Sequence, residues 1–336
     1  MTISFFSSPI GLGHASRDIA IAKYLNKITI KFTSGAGASK LIKKYGFGVN
    51  DAYVPPNFDV QSGSLQGSAK WLWQYYKYYK KCKNISSEII QYENPKVVVS
   101  DEDFASLTVA QERKIPTVLI TDILATRFTN GIAGIIEKKM NKSMKEIIKK
   151  SDLVILPETG ANEGNIYRVG PIVRETNHSR EELRERFSFS KKTILLSVGG
   201  TDAGLYLIKK TIEATSKLDD FELVLVSGPS IKEEFKEIRN LGFLENLHEA
   251  IYAADVVVSL AGKSTIDESN AYGTPGIFIP IKNHFEQEDN AKEAGFSYDD
   301  IFKLDELIPK YTKKSRTPIQ AKGAKNAAGL IAQVIK

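Results

Sequence analysis

The chain has 336 residues, of which 42% are hydrophobic and 26% charged, a globular composition that excludes disorder and a collagen-like fibre. The formal net charge of +6 is too small to indicate a nucleic-acid partner, and a single cysteine, Cys82, excludes a disulfide framework and an all-cysteine metal site. No apolar run reaches the length of about 18 residues that predicts a membrane-spanning helix. The N-terminus shows neither the basic segment nor the cleavage site of a leader, so we expect a cytoplasmic protein.

Short apolar runs alternate with amphipathic segments through the first half of the chain. The runs are nearly continuous and rich in Val and Ile, which is typical of strands covered on both faces. They predict strands at 3–7, 28–33, 49–54, 97–100, 117–121 and 153–156. The segments between them predict helices at 15–26, 36–45, 104–113 and 132–150. This βαβ order indicates a parallel sheet with right-handed crossovers.

The alternation breaks in the polar stretch 158–165 and the extended stretch 169–173, which we interpret as a hinge, and then resumes. The second series predicts strands at 193–198, 223–226, 256–260 and 276–279, and helices at 203–216, 231–240, 264–272 and 286–294. The predicted fold class is therefore α/β, with two doubly wound Rossmann-like domains facing across a cleft. We predict an N-terminal domain over 1–170, a C-terminal domain over 171–318, and a last helix in 319–336.

The turn PIGLGHASRD, residues 9–18, follows the first predicted strand. Gly11 and Gly13 allow a tight turn and let a ligand such as a phosphate approach the backbone. His14 falls at the start of the next helix, where the helix dipole disfavours an imidazolium. We therefore expect a neutral His14 that can accept a proton. A structural turn with a capping histidine would show the same residues.

Two further glycine turns open helices in the second half of the chain. The first, SVGGTDAG at 197–204, is either a phosphate cradle or a tight βα loop. The second, AGKST at 261–265, places free N–H groups and the positive end of a helix dipole where a diphosphate could bind. Glu268 follows one helical turn later, within reach of ribose hydroxyls. Polar residues Asn283, His284, Glu286 and Gln287 follow the next predicted strand, at the same edge of the sheet.

These segments resemble those of the GT-B glycosyltransferases, especially the family 28-like branch that contains the peptidoglycan GlcNAc transferase and related UDP-sugar transferases. The similarity is strongest in GLGHASRD and from 253 to 291. The resemblance implies that His14 is the base that deprotonates the acceptor and that Asp101, in VVVSDEDF, steadies it. It further implies that the backbone near Leu244 holds the uracil and that Glu268 binds the ribose. It also implies that the last helix crosses back to the N-terminal domain.

The same resemblance implies the remaining donor contacts. The residues assigned to the donor diphosphate are Gly11, Gly13, Gly199, Gly200, Thr201, Gly262, Ser264 and Thr265. Those assigned to the transferred sugar are His284, Glu286 and Gln287. Lys263 and Asp267 depart from the commoner small or apolar residues of the family, which leaves the particular sugar open.

The triplet Asp101-Glu102-Asp103 has the form of the DxD motif that holds a metal in the other major transferase fold. Here the triplet follows a strand of the N-terminal domain, and the two-domain pattern resembles the metal-independent fold. We therefore expect no metal and no cofactor.

The predicted activity is an inverting, metal-independent transfer of a sugar from a UDP-sugar to an acceptor hydroxyl. One alternative is a UDP-sugar hydrolase of the same superfamily. Residues 11–17 match its GxGHxxR turn, and residues 199–202 match its GGTD motif. Another is a sugar-nucleotide-binding subunit without chemistry of its own. Thymidine and guanosine nucleotides also remain open. An NAD-dependent dehydrogenase is set aside because GLGHAS lacks the third glycine of GxGxxG.

Two basic segments of the N-terminal domain are candidates for peripheral membrane contact. The first, WLWQYYKYYKK at 71–81, interleaves lysines with aromatic residues, which favour the bilayer interface. The second is the amphipathic segment 132–150, with Ile132, Ile136, Met140, Ile147 and Ile148 roughly on one side. Aromatic residues at helical spacing also fit a buried core. Membrane contact would imply a lipid-linked acceptor and a position at the inner face of the cell membrane. A glycan acceptor also remains open, and we expect no nucleic acid.

Overall fold

The computed structural model describes residues 2–26, 28–129, 133–199, 202–228, 231 and 233–335. The chain divides into two compact units. Unit 1 comprises Met1–Asn57, Gly67–Val173 and Ala321–Lys336, and unit 2 comprises Phe58–Gln66 and Arg174–Gln320. Each unit contains a parallel sheet covered by helices, which confirms the prediction of two Rossmann-like α/β units.

Most of the strands and helices predicted from the sequence are present, and further short strands and helices lie between them. Up to residue 168 they are β1 (Thr2–Ser7), α1 (Gly13–Ala22), β2 (Thr29–Ser34), α2 (Ala36–Lys44), β3 (Val49–Asp51), β4 (Asp59–Gln61), β5 (Ser64–Gln66), α3 (Ser68–Glu93), β6 (Val97–Asp101), α4 (Phe104–Glu112), β7 (Thr117–Ile120), α5 (Ala133–Lys150), β8 (Leu153–Leu156) and β9 (Ile166–Arg168). Beyond it they are α6 (Arg180–Arg186), β10 (Lys192–Ser197), α7 (Leu205–Thr215), β11 (Phe221–Val226), β12 (Arg239–Asn240), α8 (Leu247–Ala253), β13 (Val256–Leu260), α9 (Lys263–Tyr272), β14 (Gly276–Ile279), α10 (Phe285–Glu293), α11 (Leu304–Tyr311) and α12 (Gly323–Val334). Short 3₁₀ turns occupy Asp202–Gly204 and Tyr298–Lys303.

The sheet of unit 1 has seven strands in the described residues, all parallel, in the order β3-β2-β1-β6-β7-β8-β9. The continuous apolar runs that predicted its central strands are buried on both faces, and β1 and β6 lie side by side near the middle. Ser7 pairs in register with Asp101. The carboxyl ends of β1 and β6 therefore meet at one edge, where the turn before α1 begins.

Helix α3, with 26 residues, is the longest element in the described part of the chain, and it was not among the elements predicted from the sequence. One side of the helix is buried in unit 1, where Trp71 packs against Tyr75 and Phe128. The opposite side exposes Trp73 and Tyr76. The aromatic segment therefore contributes both to the core and to the surface. No helix in the described ranges is both long enough and apolar enough to cross a bilayer.

The sheet of unit 2 has five strands in the described residues, which are parallel as well, in the order β12-β11-β10-β13-β14. The prediction of a helix at 231–240 is wrong, because the described residues there form an irregular segment that ends in β12. Ile231, Phe235 and Ile238 pack against the core of unit 2. The irregular segment thus buries these apolar residues without forming a helix, and it continues into β12, which pairs with β11.

A hairpin formed by β4 and β5 belongs to unit 2, although the sequence analysis placed it within 1–170. Its backbone bonds to the loop after β14: the Leu65 N–H donates to the carbonyl of Lys282 at 2.8 Å, and the Lys282 N–H donates to that of Gly63 at 2.9 Å. The Tyr298 hydroxyl donates to the carbonyl of Ser62 at 2.8 Å. No local pattern signals this assignment, because it depends on partners more than 200 residues away along the chain.

The last helix, α12, packs on α1 and β8 and belongs to unit 1. It begins at Gly323, whose N–H donates to the carbonyl of Pro171 at 3.2 Å. A Cβ at position 323 would lie 2.3 Å from the carbonyl oxygens of Gly170 and Pro171, so glycine permits this close approach. The second segment of unit 1 ends at Val173, three residues beyond the predicted boundary at 170.

Candidate functional site

A buried charge cluster lies at the carboxyl edge of the unit 1 sheet. The Nδ1 atom of His14 lies 2.7 Å from Oδ1 of Asp101, and the Asp101 side chain is fully buried. This contact joins α1 to the end of β6, two elements that the topology brings together at one sheet edge. The structure thus brings together the two residues that the sequence analysis assigned to the base.

Arg17 binds both oxygens of the same carboxylate, including the one that His14 contacts, and this contact was not predicted from the sequence. Its Nε donates to Oδ2 of Asp101 at 2.5 Å, and its Nη2 donates to Oδ1 at 2.6 Å. This bidentate geometry is the strongest form of an arginine–carboxylate pair. The position of Arg17 one helical turn after His14 was visible in the sequence, but its partner 84 residues away was not.

Two more carboxyl groups complete the cluster. Asp122 lies 3.2 Å from the Arg17 guanidinium, and Oε1 of Glu102 accepts from the Thr121 hydroxyl at 2.9 Å. Oε2 of Glu102 lies 3.8 Å from Nε2 of His14. Beneath them, the Ser7 hydroxyl donates to the buried Asp18.

These charges set the protonation state of His14. Burial lowers the pKa of His14, but the negative charge of Asp101, its hydrogen bond to the ring, and Glu102 outweigh burial and raise the pKa to about 9. The raised pKa contradicts the expectation of a neutral His14 near pH 7, because that expectation took no account of the carboxylates next to the ring. Burial raises the pKa of Glu102, and the neighbouring Asp122 raises it further.

The N-terminus of α9 is the centre of the candidate donor site in unit 2. Gly262 is the N-cap residue and supplies no side-chain cap, and a Cβ there would meet nothing within 4 Å. Ser264 and Thr265 lie in the first turn, where the helix dipole is positive. Gly199, after β10, has a φ of +75° and likewise opens on free space. Gly200 and Thr201 lie outside the described residues.

Glu268 is buried in the middle of α9 and forms an ion pair with Arg174, and its predicted contact with ribose stays a prediction. Nε of Arg174 lies 2.9 Å from Oε1 of Glu268, and both side chains are almost fully buried. Nη1 of Arg174 donates to the carbonyl of Glu245 at 2.5 Å, next to the predicted uracil-binding Leu244. Arg174 follows the predicted hinge and was missed, because nothing local indicates a partner 94 residues away.

The two departures from the family pattern on α9 are explained by each other. Nζ of Lys263 lies 2.5 Å from Oδ1 of Asp267, one helical turn away. Asp267 is buried, and the lysine compensates its charge. This pair therefore stabilises α9 locally and needs no ligand.

The residues assigned to the transferred sugar lie at the N-terminus of α10. His284 is buried as the N-cap residue, with its ring 5.2 Å from that of Phe58 in the hairpin segment, and burial lowers its pKa to about 4. Oε1 of Gln287 accepts from the N–H of Ile281 at 3.0 Å. Glu286 is half-buried. Nδ1 of His284 accepts from the N–H of Gln287 at the start of α10, and the sugar contact of His284 stays a prediction.

The predicted turn residues Gly11 and Gly13 lie before and at the start of α1. Gly11 has a φ of +86°, in the left-handed region that favours glycine, and a Cβ there would meet nothing within 4 Å. Within the described part of the chain, no group of three His, Cys, Asp or Glu side chains is arranged to hold a metal ion. In the DxD-like triplet, Asp103 instead caps α4 and accepts from the Tyr53 hydroxyl at 2.8 Å.

Known proteins resemble this chain in sequence. Residues 193–329 match the model of the glycosyltransferase family 28 C-terminal domain. An uncharacterized glycosyltransferase of Methanosarcina acetivorans is 28% identical, with 88% of this chain and 84% of the relative covered. The UDP-N-acetylglucosamine--N-acetylmuramyl-(pentapeptide) pyrophosphoryl-undecaprenol N-acetylglucosamine transferase of Desulforamulus reducens is 27% identical, with 72% and 70% covered.

Solved structures resemble the fold. The glycotransferase of kitacinnamycin has a TM-score of 0.68 at 14% identity, with 100% of this chain and 99% of that chain covered. The Streptomyces sp. SF2575 glycosyltransferase SsfS6, complexed with thymidine diphosphate, has a TM-score of 0.62 at 14% identity, with 99% and 96% covered. At these identities the similarity shows the fold alone.

Proposed function

The chain is a family 28-like glycosyltransferase with the GT-B fold, and we propose that it transfers a sugar from a UDP-sugar to an acceptor hydroxyl with inversion and without a metal. The observation that carries this proposal is the 2.7 Å contact between His14 and a fully buried Asp101 that Arg17 also holds. A histidine oriented by a carboxylate is the arrangement that general-base activation of a hydroxyl requires.

In this mechanism the deprotonated His14 takes the proton of the acceptor hydroxyl at Nε2. The acceptor oxygen then bonds to the anomeric carbon as the bond from that carbon to the phosphate oxygen breaks. Asp101 keeps the ring in place through Nδ1 and stabilises the imidazolium that forms. The same negative charge that raises the pKa of His14 thus favours the product of proton transfer.

The leaving UDP carries away the electron pair, and the N-terminus of α9 is the group proposed to stabilise it. The open backbone at Gly199 and Gly262 lets phosphate oxygens approach N–H groups, and the helix dipole adds a positive field. The family relative named for a UDP-N-acetylglucosamine donor supports uridine. The neighbour complexed with thymidine diphosphate supports thymidine as the nearest alternative.

A donor screen followed by product analysis tests this function. Calorimetry with a panel of UDP- and TDP-sugars identifies the donor, and NMR of the product with a panel of glycosides and lipid-linked sugars gives the anomeric configuration. We expect an inverted glycoside, formed at the same rate in EDTA. Rapid, stoichiometric release of free sugar without an acceptor would instead identify a UDP-sugar hydrolase, and donor binding without either product would identify a binding subunit.

We further propose that unit 1 contacts a membrane surface peripherally, through exposed residues of α3 and α5. On α3, Trp73 is 56% exposed, and Nζ of Lys77 lies 3.4 Å from the centre of its ring. On α5, Ile135 and Ile136 are exposed among lysines, whereas Met144 and Ile148 are buried in unit 1. Ile132 lies outside the described residues. Exposed aromatic and aliphatic side chains next to lysines favour an anionic bilayer surface.

Sedimentation with liposomes tests the membrane contact directly. The wild-type protein should co-sediment with vesicles that contain an anionic phospholipid at low salt, and binding should weaken at high salt. Trp73→Ala with Ile135→Ser should bind less, whereas Tyr92→Ala, which removes an exposed aromatic side chain near the other end of α3, should bind normally. Absence of co-sedimentation at low salt would point to a soluble acceptor.

A further inference from the structure

Glu102 belongs to the charge cluster around Asp101 but has no role in the proposed mechanism. It follows β6 directly and has a φ of +54°, in the left-handed region that side chains other than glycine seldom adopt. Its N–H donates to the carbonyl of Ile120 at 3.2 Å, which ties this conformation to the end of β7. A backbone of this kind is often found where a side chain must be placed at a functional site.

The two oxygens of Glu102 have different surroundings. Oε1 accepts from the Thr121 hydroxyl at 2.9 Å and from the Asp122 N–H at 3.3 Å. Oε2 lies 3.8 Å from Nε2 of His14. The Glu102 side chain also forms a hydrogen bond with the side chain of Asp122. These contacts hold the carboxyl group in place, and Oε2 lies beside the nitrogen that would take the acceptor proton.

The 3.8 Å separation is too long for a direct hydrogen bond. It suits two neighbouring hydroxyl groups, since each oxygen of a vicinal diol could then make its own hydrogen bond of ordinary length, one to Nε2 and one to Oε2. Both side chains also reach the surface of unit 1, because His14 is 16% exposed and Glu102 is 13% exposed.

The surroundings leave Glu102 able to bond a hydroxyl in either protonation state. Burial and the charge of Asp122 after β7, which also forms a hydrogen bond with the Glu102 side chain, raise the pKa of Glu102 and favour its acid form, whereas His14 and Arg17 on α1 favour its carboxylate form. Burial and, to a smaller extent, the charges of Asp103 and Glu102 raise the pKa of the Tyr75 hydroxyl on α3. A carboxylate accepts a hydrogen bond from a hydroxyl, and a carboxylic acid can donate one.

We propose that Glu102 is a further catalytic residue, which binds the hydroxyl next to the attacking one, so that the acceptor is a carbohydrate with a vicinal diol. This inference rests on the proposed function. The proton of the attacking hydroxyl passes to Nε2 of His14, the glycosidic bond forms, and UDP leaves with its electron pair. Glu102 neither gains nor loses a proton overall; it orients the diol.

The test compares matched acceptors on matched variants in a UDP-release assay with the donor found by calorimetry. The acceptors are methyl glycosides, each paired with its monodeoxy derivatives, together with primary alcohols. The variants are Glu102→Ala, Glu102→Gln, which keeps the volume and can still bond a hydroxyl, and Glu112→Gln on α4 as an exposed control.

The wild type should use diol acceptors at least tenfold more efficiently than their monodeoxy partners, through a lower KM. Glu102→Ala should lose this preference, Glu102→Gln should recover part of it, and Glu112→Gln should keep it in full. Equal use of diols and monodeoxy acceptors by the wild type, or an unchanged preference in Glu102→Ala, would overturn the inference and leave the transferase intact. No turnover with any acceptor would overturn the proposed function and this inference with it.

Discussion

The candidate site of unit 1 consists of charged side chains, whereas that of unit 2 consists mainly of backbone groups at glycine turns and at a helix N-terminus. In unit 1, charged side chains from α1, β6 and the loop after β7 form one buried network around Asp101. In unit 2, open glycine backbone and the N-terminus of α9 provide the candidate diphosphate contacts, and the buried ion pair of Arg174 and Glu268 lies deeper in the same helix. Substitutions in unit 1 should therefore change rates and pH dependence, whereas those in unit 2 should change donor affinity.

Removal of the His14 imidazole is the change expected to have the largest effect. General-base catalysis contributes about 10²–10⁴-fold, so His14→Ala should lower kcat by that factor. UDP affinity, measured by calorimetry, should stay within about twofold, because the donor contacts are assigned to unit 2. His178→Ala, which removes a half-exposed histidine, is the control and should keep wild-type kcat. A His14→Ala enzyme with wild-type turnover would contradict the mechanism.

Variants of the ion pair between Arg174 and Glu268 distinguish a structural role of Glu268 from a ribose-binding role. Glu268→Ala leaves the Arg174 guanidinium buried without its carboxylate, so the free energy of unfolding should fall by about 3–5 kcal/mol. The double variant Arg174→Met with Glu268→Leu removes both charges and should regain most of this stability. If Glu268 also binds ribose, UDP affinity of the double variant should stay lower by about 1.5–3 kcal/mol.

Denaturation curves and calorimetry on the same double variant give both quantities. A double variant that is stable and binds UDP as tightly as the wild type would show that Glu268 acts only through Arg174. Glu158→Ala, which breaks a more exposed ion pair with Arg168 in unit 1, should cost at most about 1 kcal/mol and leave UDP affinity unchanged.

Gly199 tests whether the donor site depends on open backbone. Gly199→Ala places a methyl group where a phosphate would approach and forces alanine into a left-handed conformation. Gly295→Ala imposes the same strain at a φ of +84° beyond α10, also facing open space. Both should lose about 1 kcal/mol of stability, but only Gly199→Ala should weaken UDP binding, by roughly tenfold. Equal UDP affinities in the two variants would contradict the proposal that the backbone at Gly199 binds the diphosphate.

The hairpin of β4 and β5 should respond least, because its backbone hydrogen bonds to Lys282 remain in place when one of its side chains is substituted. Ser64→Ala removes the 3.1 Å bond from Nδ2 of Asn283 and should lower the free energy of unfolding by about 0.5–1.5 kcal/mol. Ser62→Ala keeps the carbonyl that Tyr298 bonds and should change stability by less than about 0.5 kcal/mol. A larger loss in Ser62→Ala than in Ser64→Ala, seen in thermal unfolding, would contradict this assignment.

The sequence predicts the central strands of both parallel sheets, because continuous Val and Ile runs favour buried parallel strands, but it misses the short strands β4, β5, β9 and β12. The pairing of His14 with Asp101 was implied only by the family resemblance, and the structure shows that the adjacent ends of β1 and β6 bring the two residues together. The pKa of His14 could not be predicted, because it depends on carboxylates far away along the chain. The partner of Glu268 and the position of the hairpin could not be predicted either, because both depend on residues far away along the chain. The helix predicted at 231–240 was wrong because an irregular segment can also bury apolar residues at helical spacing.

The pH dependence of kcat/KM tests the central claim, that Asp101 holds His14 as the base, most directly. The base must be deprotonated, so activity is low below the pKa of His14 and rises with pH until that pKa is passed. We predict a rise through pH 7 and 8 that levels off near pH 9, and a shift of this rise to lower pH in Asp101→Asn, where the raising charge is gone. A wild-type profile that is flat from pH 6 to 9, or a rise that Asp101→Asn does not move, would contradict the account.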